Sequence, residues 1–325
     1  MCCLFSIFLN CIFSDIDLFK ISLYNIVITF IHLPPFHPFT MKFFILKSKK
    51  MLPFILLCII PVLLVALLIY GNITLTTTEI TVTSERLPDS FSGFRIAHIS
   101  DLHNTEFGRN NTRLLNRLQE IAPDIIVITG DIVDSRRTNM DIAISFATAA
   151  TDIAPVFYVG GNHESRLENY TDLTSALTSV GVSVLDNKNI VLSRGYDTIN
   201  LTGIRDPAFV PGEMPSAVID TLLHRHLPTE ETYSMVLCHR PELFDTYASH
   251  DIDLVFSGHV HGGQFRLPLI GGLFAPAQGF FPKYDSGTYS SGNTTMVVSR
   301  GLGNSLFPLR INNPPEIIVA TLLSP

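Results

Sequence analysis

The chain has 325 residues, enough for one large domain or two small ones. Hydrophobic residues make up 46% and charged residues only 16%, an average that leans towards membrane. The net charge is −7 and no basic block follows residue 72, which argues against double-stranded nucleic acid as a partner, because a phosphate backbone is recognised through clustered Lys and Arg.

Residues 1–50 form an N-terminal extension. Two weakly apolar stretches, 1–13 and 21–36, are broken by Asp15, Asp17, Lys20 and a PPFHPF segment. Met41, followed by Lys42, Lys47, Lys49 and Lys50, has the character of a natural start. The residues upstream of it are therefore expected to stem from a mis-assigned start codon. Residues 51–70, MLPFILLCIIPVLLVALLIY, carry no charge and match the ~20 residues that cross a bilayer. Lysines precede this run and no basic residue occurs in 71–78. The positive-inside rule then predicts a single-pass cell-membrane anchor with its N-terminus in the cytoplasm and an extracytoplasmic domain. The alternative is a cleaved signal peptide, but that has an apolar core of about 7–15 residues and a small-x-small site. Here the run is longer and ends LLIYGN, and Pro53 and Pro61 are tolerable in a membrane helix. A span at 21–36 would invert the topology. Cys2, Cys3 and Cys11 lie in the extension and Cys58 in the apolar run, so Cys238 alone remains for the globular part and no disulfide framework exists there. Cys238 is read as a small buried strand residue rather than a catalytic thiol.

Residues 72–325 read as the globular domain, without repeats or low-complexity tracts. Residues 73–83 alternate apolar residues with Thr, as a half-buried strand does. Several β-branched runs then end in polar clusters. Residues 95–100 lead into Asp101, Leu102 and His103; 124–129 into Gly130 and Asp131; 156–159 into Gly160, Gly161, Asn162 and His163. Residues 233–237 lead towards His239, and 254–256 into Gly258, His259, Val260 and His261. Helical patterns lie between them at 111–121, where Leu114, Leu115 and Leu118 precede Pro123, and at 140–150 and 172–180. Strands alternating with helices predict a layered α/β domain. The carboxyl ends of such strands form the ligand-binding edge, so the clusters are expected to converge on one rim.

Asp101, His103, Asp131, Asn162, His239, His259 and His261 offer carboxylate, imidazole and amide ligands that suit Mn²⁺, Fe or Zn²⁺. Flanking glycines allow close backbone approach. In the DLH and HVH triplets, residues two apart point the same way if the backbone stays extended. Seven ligands exceed one tetrahedral ion but suit two ions about 3.5–4 Å apart that share a carboxylate.

With DLH at 101–103, GD at 130–131, GNHE at 161–164, His239 and GHVH at 258–261, the chain resembles the calcineurin-like metallophosphoesterases, motif by motif and in order. The resemblance covers essentially 73–325. It implies a four-layer α-β-β-α sandwich of two mixed sheets. It implies two divalent metal ions, with Asp101, His103 and His261 on one, Asn162, His239 and His259 on the other, and Asp131 bridging. It implies that His163 contacts the scissile phosphate and acts as general acid. The implied reaction is hydrolysis by a hydroxide held between the ions, with no covalent enzyme intermediate. CHRPE at 238–242, GHVHGGQ at 258–264, SRGLGNS at 299–305 and PLRINNPPEI at 308–317 are similar to the membrane-anchored or exported branch. That branch implies a phosphodiester or pyrophosphate substrate, with a lipid-linked one such as UDP-diacylglucosamine among its relatives. Protein phosphatases carry GDxVDRG, whereas Ser135 stands at the DRG arginine position here, which argues against a phosphoprotein substrate. The alternatives are a phosphomonoesterase and a non-catalytic membrane-tethered metal-binding protein, the latter disfavoured by the full ligand set and His163.

Other polar residues have blander readings. His98 is expected to be structural, His224, His226 and His250 to be solvated or locally bonded, and Asp134 to bond the loop after Asp131. Arg205 and Asp206 close another strand, and Arg300 and Arg310 are candidates for phosphate contact or for plain solvation. Residues 267–281, LPLIGGLFAPAQGFF, have too much Gly and Pro for a helix. They are either a buried loop or an exposed apolar lip that faces the bilayer and accepts an acyl chain.

Overall fold

The computed structural model describes residues 51–229 and 232–325. The stretches at 1–13 and 21–36, Met41 and the lysine cluster fall outside the described residues.

Helix α1 (Met51–Ile73) runs past Tyr70, where the predicted span ends, and contains Pro61. Its Leu56–Ile73 window is, among the described residues, the one segment helical, long and apolar enough to cross a membrane, and only 6% of it is buried. In its last turn the Asn72 side chain donates to the Leu68 carbonyl (2.7 Å), one turn back.

The chain after α1 builds two six-stranded mixed sheets. The first has the order β1 (Thr76–Thr83), β16 (Glu316–Leu323), β2 (Arg95–Ile99), β3 (Ile125–Ile128), β4 (Val156–Tyr158), β5 (Ser183–Val184). β2 to β5 are mutually parallel, while β16 lies antiparallel to β2 and parallel to β1. The second sheet has the order β14 (Gly287–Ser291), β15 (Thr294–Val298), β9 (Leu254–Ser257), β8 (Ser234–Cys238), β7 (Asp197–Ile204), β6 (Lys188–Arg194), with β15, β9, β8 and β7 parallel.

The period-2 alternation of strand side chains sorts these residues into layers. Ile125 and Val127 of β3, with Met235 and Leu237 of β8, join a buried cluster between the sheets. Ile126 and Ile128 point the other way, against Leu114 and Leu118 of α2 (Thr112–Ile121), Phe146 of α3 (Met140–Thr151) and Leu173 of α4 (Tyr170–Ser179). Val236 and Cys238 point away from the centre, against Ile219 and Leu223 of α5 (Pro215–His226) and Phe244 of α6 (Phe244–Ser249). The result is helix, sheet, sheet, helix. Strands buried on both faces carry unbroken runs such as Ile125–Ile128 and Leu254–Ser257, all buried. Truncating one of these inner Leu or Ile residues to Ala costs about 2–5 kcal/mol in comparable cores. Cys238 is fully buried, and burial pushes its thiol up to about 12, so it packs as a small hydrophobe.

Residues 267–281 are not a buried loop. They form parts of two small hairpins, β10 (Arg266–Leu267) with β11 (Gly271–Gly272) and β12 (Phe274–Ala275) with β13 (Gly279–Phe280). Ala275 is buried, whereas Leu269, Ile270, Phe280 and Phe281 are exposed.

Candidate metal centre

β2, β3, β4, β8 and β9 all run parallel within their sheets, and the residues following each meet at one edge. The polar residues there stand in loops, not in strand. Asp101, His103, Asp131, His259 and His261 all have left-handed backbones, with φ of 53°, 47°, 53°, 70° and 48°. The extended backbone that would point residues two apart in DLH and HVH the same way is therefore not present. β2 ends at Ile99 and β9 at Ser257, and left-handed turns, not the pleat, aim these side chains. Each such residue costs of order 1–3 kcal/mol, and strain of this kind gathers where surrounding structure holds a site in place. Gly258 is required by the close approach: a Cβ there would overlap Ser100 Oγ and Asp101 Oδ2.

All seven sequence-predicted ligands come together and are buried. His261 Nε2 lies 3.5 Å from Asp101 Oδ1, and His103 Nε2 lies 3.8 Å from the same oxygen. The two Nε2 atoms are 3.2 Å apart. His103 Nε2 also lies 3.6 Å from Asp131 Oδ2, and His239 Nε2 approaches that oxygen to 3.3 Å. Asn162 Oδ1 lies 3.2 Å from His239 Nε2. Asp131, His239 and His259 form one group of converging donors and Asp101, His103 and His261 another, with Asp131 also reaching His103 and His163.

The donor set of this cluster suits a cation. His239 Nδ1 lies 2.6 Å from the Thr129 carbonyl, which can only accept, so Nδ1 carries the proton. When the ring is protonated, Nε2–H donates to the Asp131 carboxylate and to Asn162 Oδ1; when it is neutral, Nε2 presents a lone pair to both. Three acceptors facing one another are satisfied by a positive charge between them, and a divalent metal fits this donor set. The charges follow the same logic. Burial works to raise both aspartates, but the surrounding histidines hold them well below the usual carboxylate range. Burial works to lower His239, but Asp131 and Asp101 outweigh it and raise the ring to about 10. Burial dominates at His261, lowered to about 3, and at His259, held well below the usual imidazole range with Arg240 beside it.

His163 sits apart from its neighbour Asn162. The Ser135 backbone N–H donates to its Nδ1 (3.1 Å), while Nε2 faces Ser305 Oγ at 3.3 Å. Burial lowers its ring to about 4. Beside the cluster a cavity of about 370 Å³ is lined by Asp131, His163, His259, Arg136, Arg166 and Arg240 together with Phe274, Pro276, Leu306 and Phe307.

Several supporting residues were not singled out by the sequence. Glu164 is fully buried and accepts backbone N–H bonds from Asp131 (2.7 Å), Gly161 (2.7 Å) and Val133 (3.1 Å), so it ties the GD loop to the GNH loop. Arg240 forms a fork with Asp206 (2.5 and 3.0 Å) and reaches His259 Nε2 at 3.2 Å. Position within GNHE and CHRPE was the available signal, but neither residue type alone marks the role. The phosphate-contact expectation fails for two arginines. Arg300 is spent on Glu316 and Thr76. Arg310 is fully buried, with its guanidinium on the Arg300 and Gly303 carbonyls and Asn304 and one Nη2 contact to His261. Arg205 lies over the Phe209 ring, 5.0 Å from its centre. His98 is structural, bonded to Thr129 Oγ1 at 2.8 Å, and His250 bonds Asp220 at 2.9 Å. Asp134 accepts from the Arg136 backbone at 2.9 Å.

Two sheets that bring histidines and carboxylates from strand ends to one buried edge define a metal-dependent phosphoesterase. The chain belongs to the calcineurin-like phosphoesterase family, whose profile matches residues 94–263. It is 31% identical over 260 residues to the uncharacterized metallophosphoesterase YkuE of Bacillus subtilis, covering 76% of this chain and 85% of that one. It is 29% identical to the phosphodiesterase YaeI of Escherichia coli, covering 72% and 84%. A transmembrane protein with metallophosphoesterase domain from Danio rerio is 29% identical, over 74% of this chain and 55% of the relative. The family and the His/Asp clusters together indicate divalent metal ions.

Proposed function

We propose that the protein hydrolyses phosphodiester or pyrophosphate bonds with two divalent cations held at the strand-end cluster. Asp101, His103 and His261 would hold one, Asn162, His239 and His259 the other, and Asp131 would serve both. The observation that carries this reading is the position of Asp131 Oδ2, 3.6 Å from His103 Nε2 and 3.3 Å from His239 Nε2, between the two donor groups. The mixed imidazole, carboxylate and amide set suits Mn²⁺, Fe or Zn²⁺. The chemistry such cations supply when bound is neutralisation of phosphoryl oxygens and a lowered pKa for water.

The chain's own residues do the rest. Because the Ser135 N–H donates to Nδ1, neutral His163 keeps its proton on Nε2. That N–H is the donor available to a phosphoryl or leaving-group oxygen in the cavity. Arg136, Arg166 and Arg240 line the same cavity and suit an anionic substrate. The apolar part of the cavity lining, Phe274, Pro276, Leu306 and Phe307, supports a substrate with a lipid portion.

The test is hydrolysis of bis(p-nitrophenyl) phosphate and p-nitrophenyl phosphate by the full chain in detergent, with added Mn²⁺, after EDTA, and with Asp131→Asn. Diester cleavage is expected, abolished by EDTA and restored by metal. Asp131→Asn is expected to lose more than the roughly 10–100-fold typical of an outer-shell partner of a metal. Monoester-only cleavage would establish the phosphomonoesterase instead, and cleavage of neither by a folded, metal-loaded sample would refute the diesterase.

A further inference from the structure

We propose that the apolar rim of the cavity rests in the surface of the bilayer that α1 crosses, so that the candidate metal centre opens onto the membrane interface. This rests on reading α1 as a membrane span and does not depend on which phosphoester is cleaved.

Three observations converge. The first is topological. β1 runs parallel to β16, and β16 antiparallel to β2. Thr76, where β1 begins, pairs with Glu316, while the far end of β16 pairs back to Arg95 at the start of β2. The start of β1 therefore lies at the carboxyl edge of β2, the edge that carries Asp101. Only two residues separate β1 from α1, so the anchor arrives at the same edge as the site.

The second is a set of hydrogen bonds. Asn72 in the last turn of α1 donates to the Arg310 carbonyl (3.0 Å) and accepts from the Arg310 N–H (2.8 Å) and from Asn304 (3.2 Å). The loop fastened in this way carries Leu306, Phe307, Leu309 and Ile311, all exposed. It is joined in turn to the small hairpins. Gln264 donates to the Phe307 and Leu309 carbonyls, and the Arg266 N–H donates to Ile311.

The third is the composition of the joined surface. Leu269, Ile270, Phe280, Phe281 and Leu306 are 108%, 64%, 70%, 59% and 74% exposed, and Phe307 is at once part of this surface and of the cavity wall. Large apolar patches on soluble surfaces are uncommon and mark interaction sites. Here the end of a membrane helix is hydrogen-bonded to the patch itself, and that selects lipid as the occupant. Phe and Leu at such a position enter the headgroup and acyl boundary by about 5–10 Å.

The chain contains no Trp, so single substitutions give unique fluorophores. Leu269→Trp, Phe307→Trp, Leu64→Trp and Tyr196→Trp would each be placed in the full chain and reconstituted into phosphatidylcholine vesicles with or without acyl chains brominated near the headgroup. Leu64 reports the span. Tyr196 is 106% exposed in the turn before β7, at the edge away from the site, and reports the opposite face. The proposal expects blue-shifted emission and loss of intensity in brominated lipid at positions 269, 307 and 64, and neither at 196. Quenching at 64 with water-like emission at 269 and 307 would overturn the rim while leaving the span intact. Blue-shifted but unquenched emission at 269 and 307 would mean a protein or a second copy covers the patch, and would overturn it too. No quenching at 64 would remove the span and the rim together. Ile270→Trp and Leu306→Trp serve in place of any variant whose melting temperature falls away from the parent's.

Discussion

Glu164 is the residue on which the geometry of the candidate centre turns, although it faces no substrate. Its two oxygens accept three backbone N–H groups from the loops that carry Asp131 and Asn162. Burial beside Asp131 raises its carboxyl to about 8, against the pull of those three donors. Glu164→Gln keeps one accepting oxygen and sets an amide N–H₂ against a backbone N–H. Leaving a buried donor unpaired costs about 1–3 kcal/mol, so the variant should melt at lower temperature and bind metal more weakly. Calorimetric melting with and without Mn²⁺ checks both, and metal titration unchanged from the parent would count against this positioning role. The seven ligand candidates were legible from residue type at polar strand ends, with a glycine beside Asp131, Asn162, His259 and His261. Ser135, Ser305 and Glu164 were not, since nothing in a Ser or a Glu announces a tertiary partner. Arg310 illustrates the reverse: a phosphate-binding residue type whose hydrogen-bonding groups are consumed by its own loop and by Gly303 and Arg300 carbonyls.

The central strands were readable because burial on both faces demands unbroken apolar runs, and their polar sequels gave the edge. The β6–β7 hairpin was harder, because β6 is half-exposed along its length and shows no clean alternation. α5 was missed because only Val218, Ile219 and Leu223 of its twelve residues are buried. β8 and β9 are joined by a further polar tie. Asp253 accepts from the Ser234 N–H (2.8 Å) and hydroxyl (3.2 Å), with Arg86 3.3 Å from its other oxygen. Burial raises this carboxyl above its ordinary value, more than the Ser234 bonds and Arg86 lower it. The native state then holds the proton more tightly than the unfolded chain. The contribution of this site to stability is greatest below the unfolded pKa and declines as pH rises through the folded one. Asp253→Asn removes that titration and keeps an accepting oxygen. The difference in melting temperature between variant and parent should therefore shift in favour of the variant as pH rises from about 4 to 7, above the ordinary Asp range. A difference independent of pH would refute the argument.

At the scale of the molecule, the two sheets and their helices followed from alternation of strand and helix, but the place where α1 joins did not. That depends on β1 pairing with β16, far apart in sequence, which no local pattern specifies. Asn72 is the hinge of this arrangement. Asn72→Ala removes three hydrogen bonds to Arg310 and Asn304 and leaves the Arg310 N–H without its partner. The expected loss is about 1–3 kcal/mol, with the 304–311 loop becoming more susceptible to protease in vesicle-bound protein. Digestion and melting compared with the parent measure both, and equal cleavage rates would show that the tie does not hold the loop.

The position of β16 has a consequence for biosynthesis. Residues 316–323 follow the other described elements in the chain, yet they sit inside the first sheet, with Ile318, Ala320 and Leu322 in the layer between the sheets. A nascent chain that has emerged as far as β15 can pair β6 to β9 with β14 and β15, but its β1 and β2 still face an empty slot with open backbone groups on both sides. Domains that can fold as they emerge do so from the N-terminus, and this one is denied that route for the half that bears Asp101. Because α1, β1 and β2 precede β16 in the chain, the first sheet closes only when β16 pairs, with an unpaired, aggregation-prone edge exposed until then.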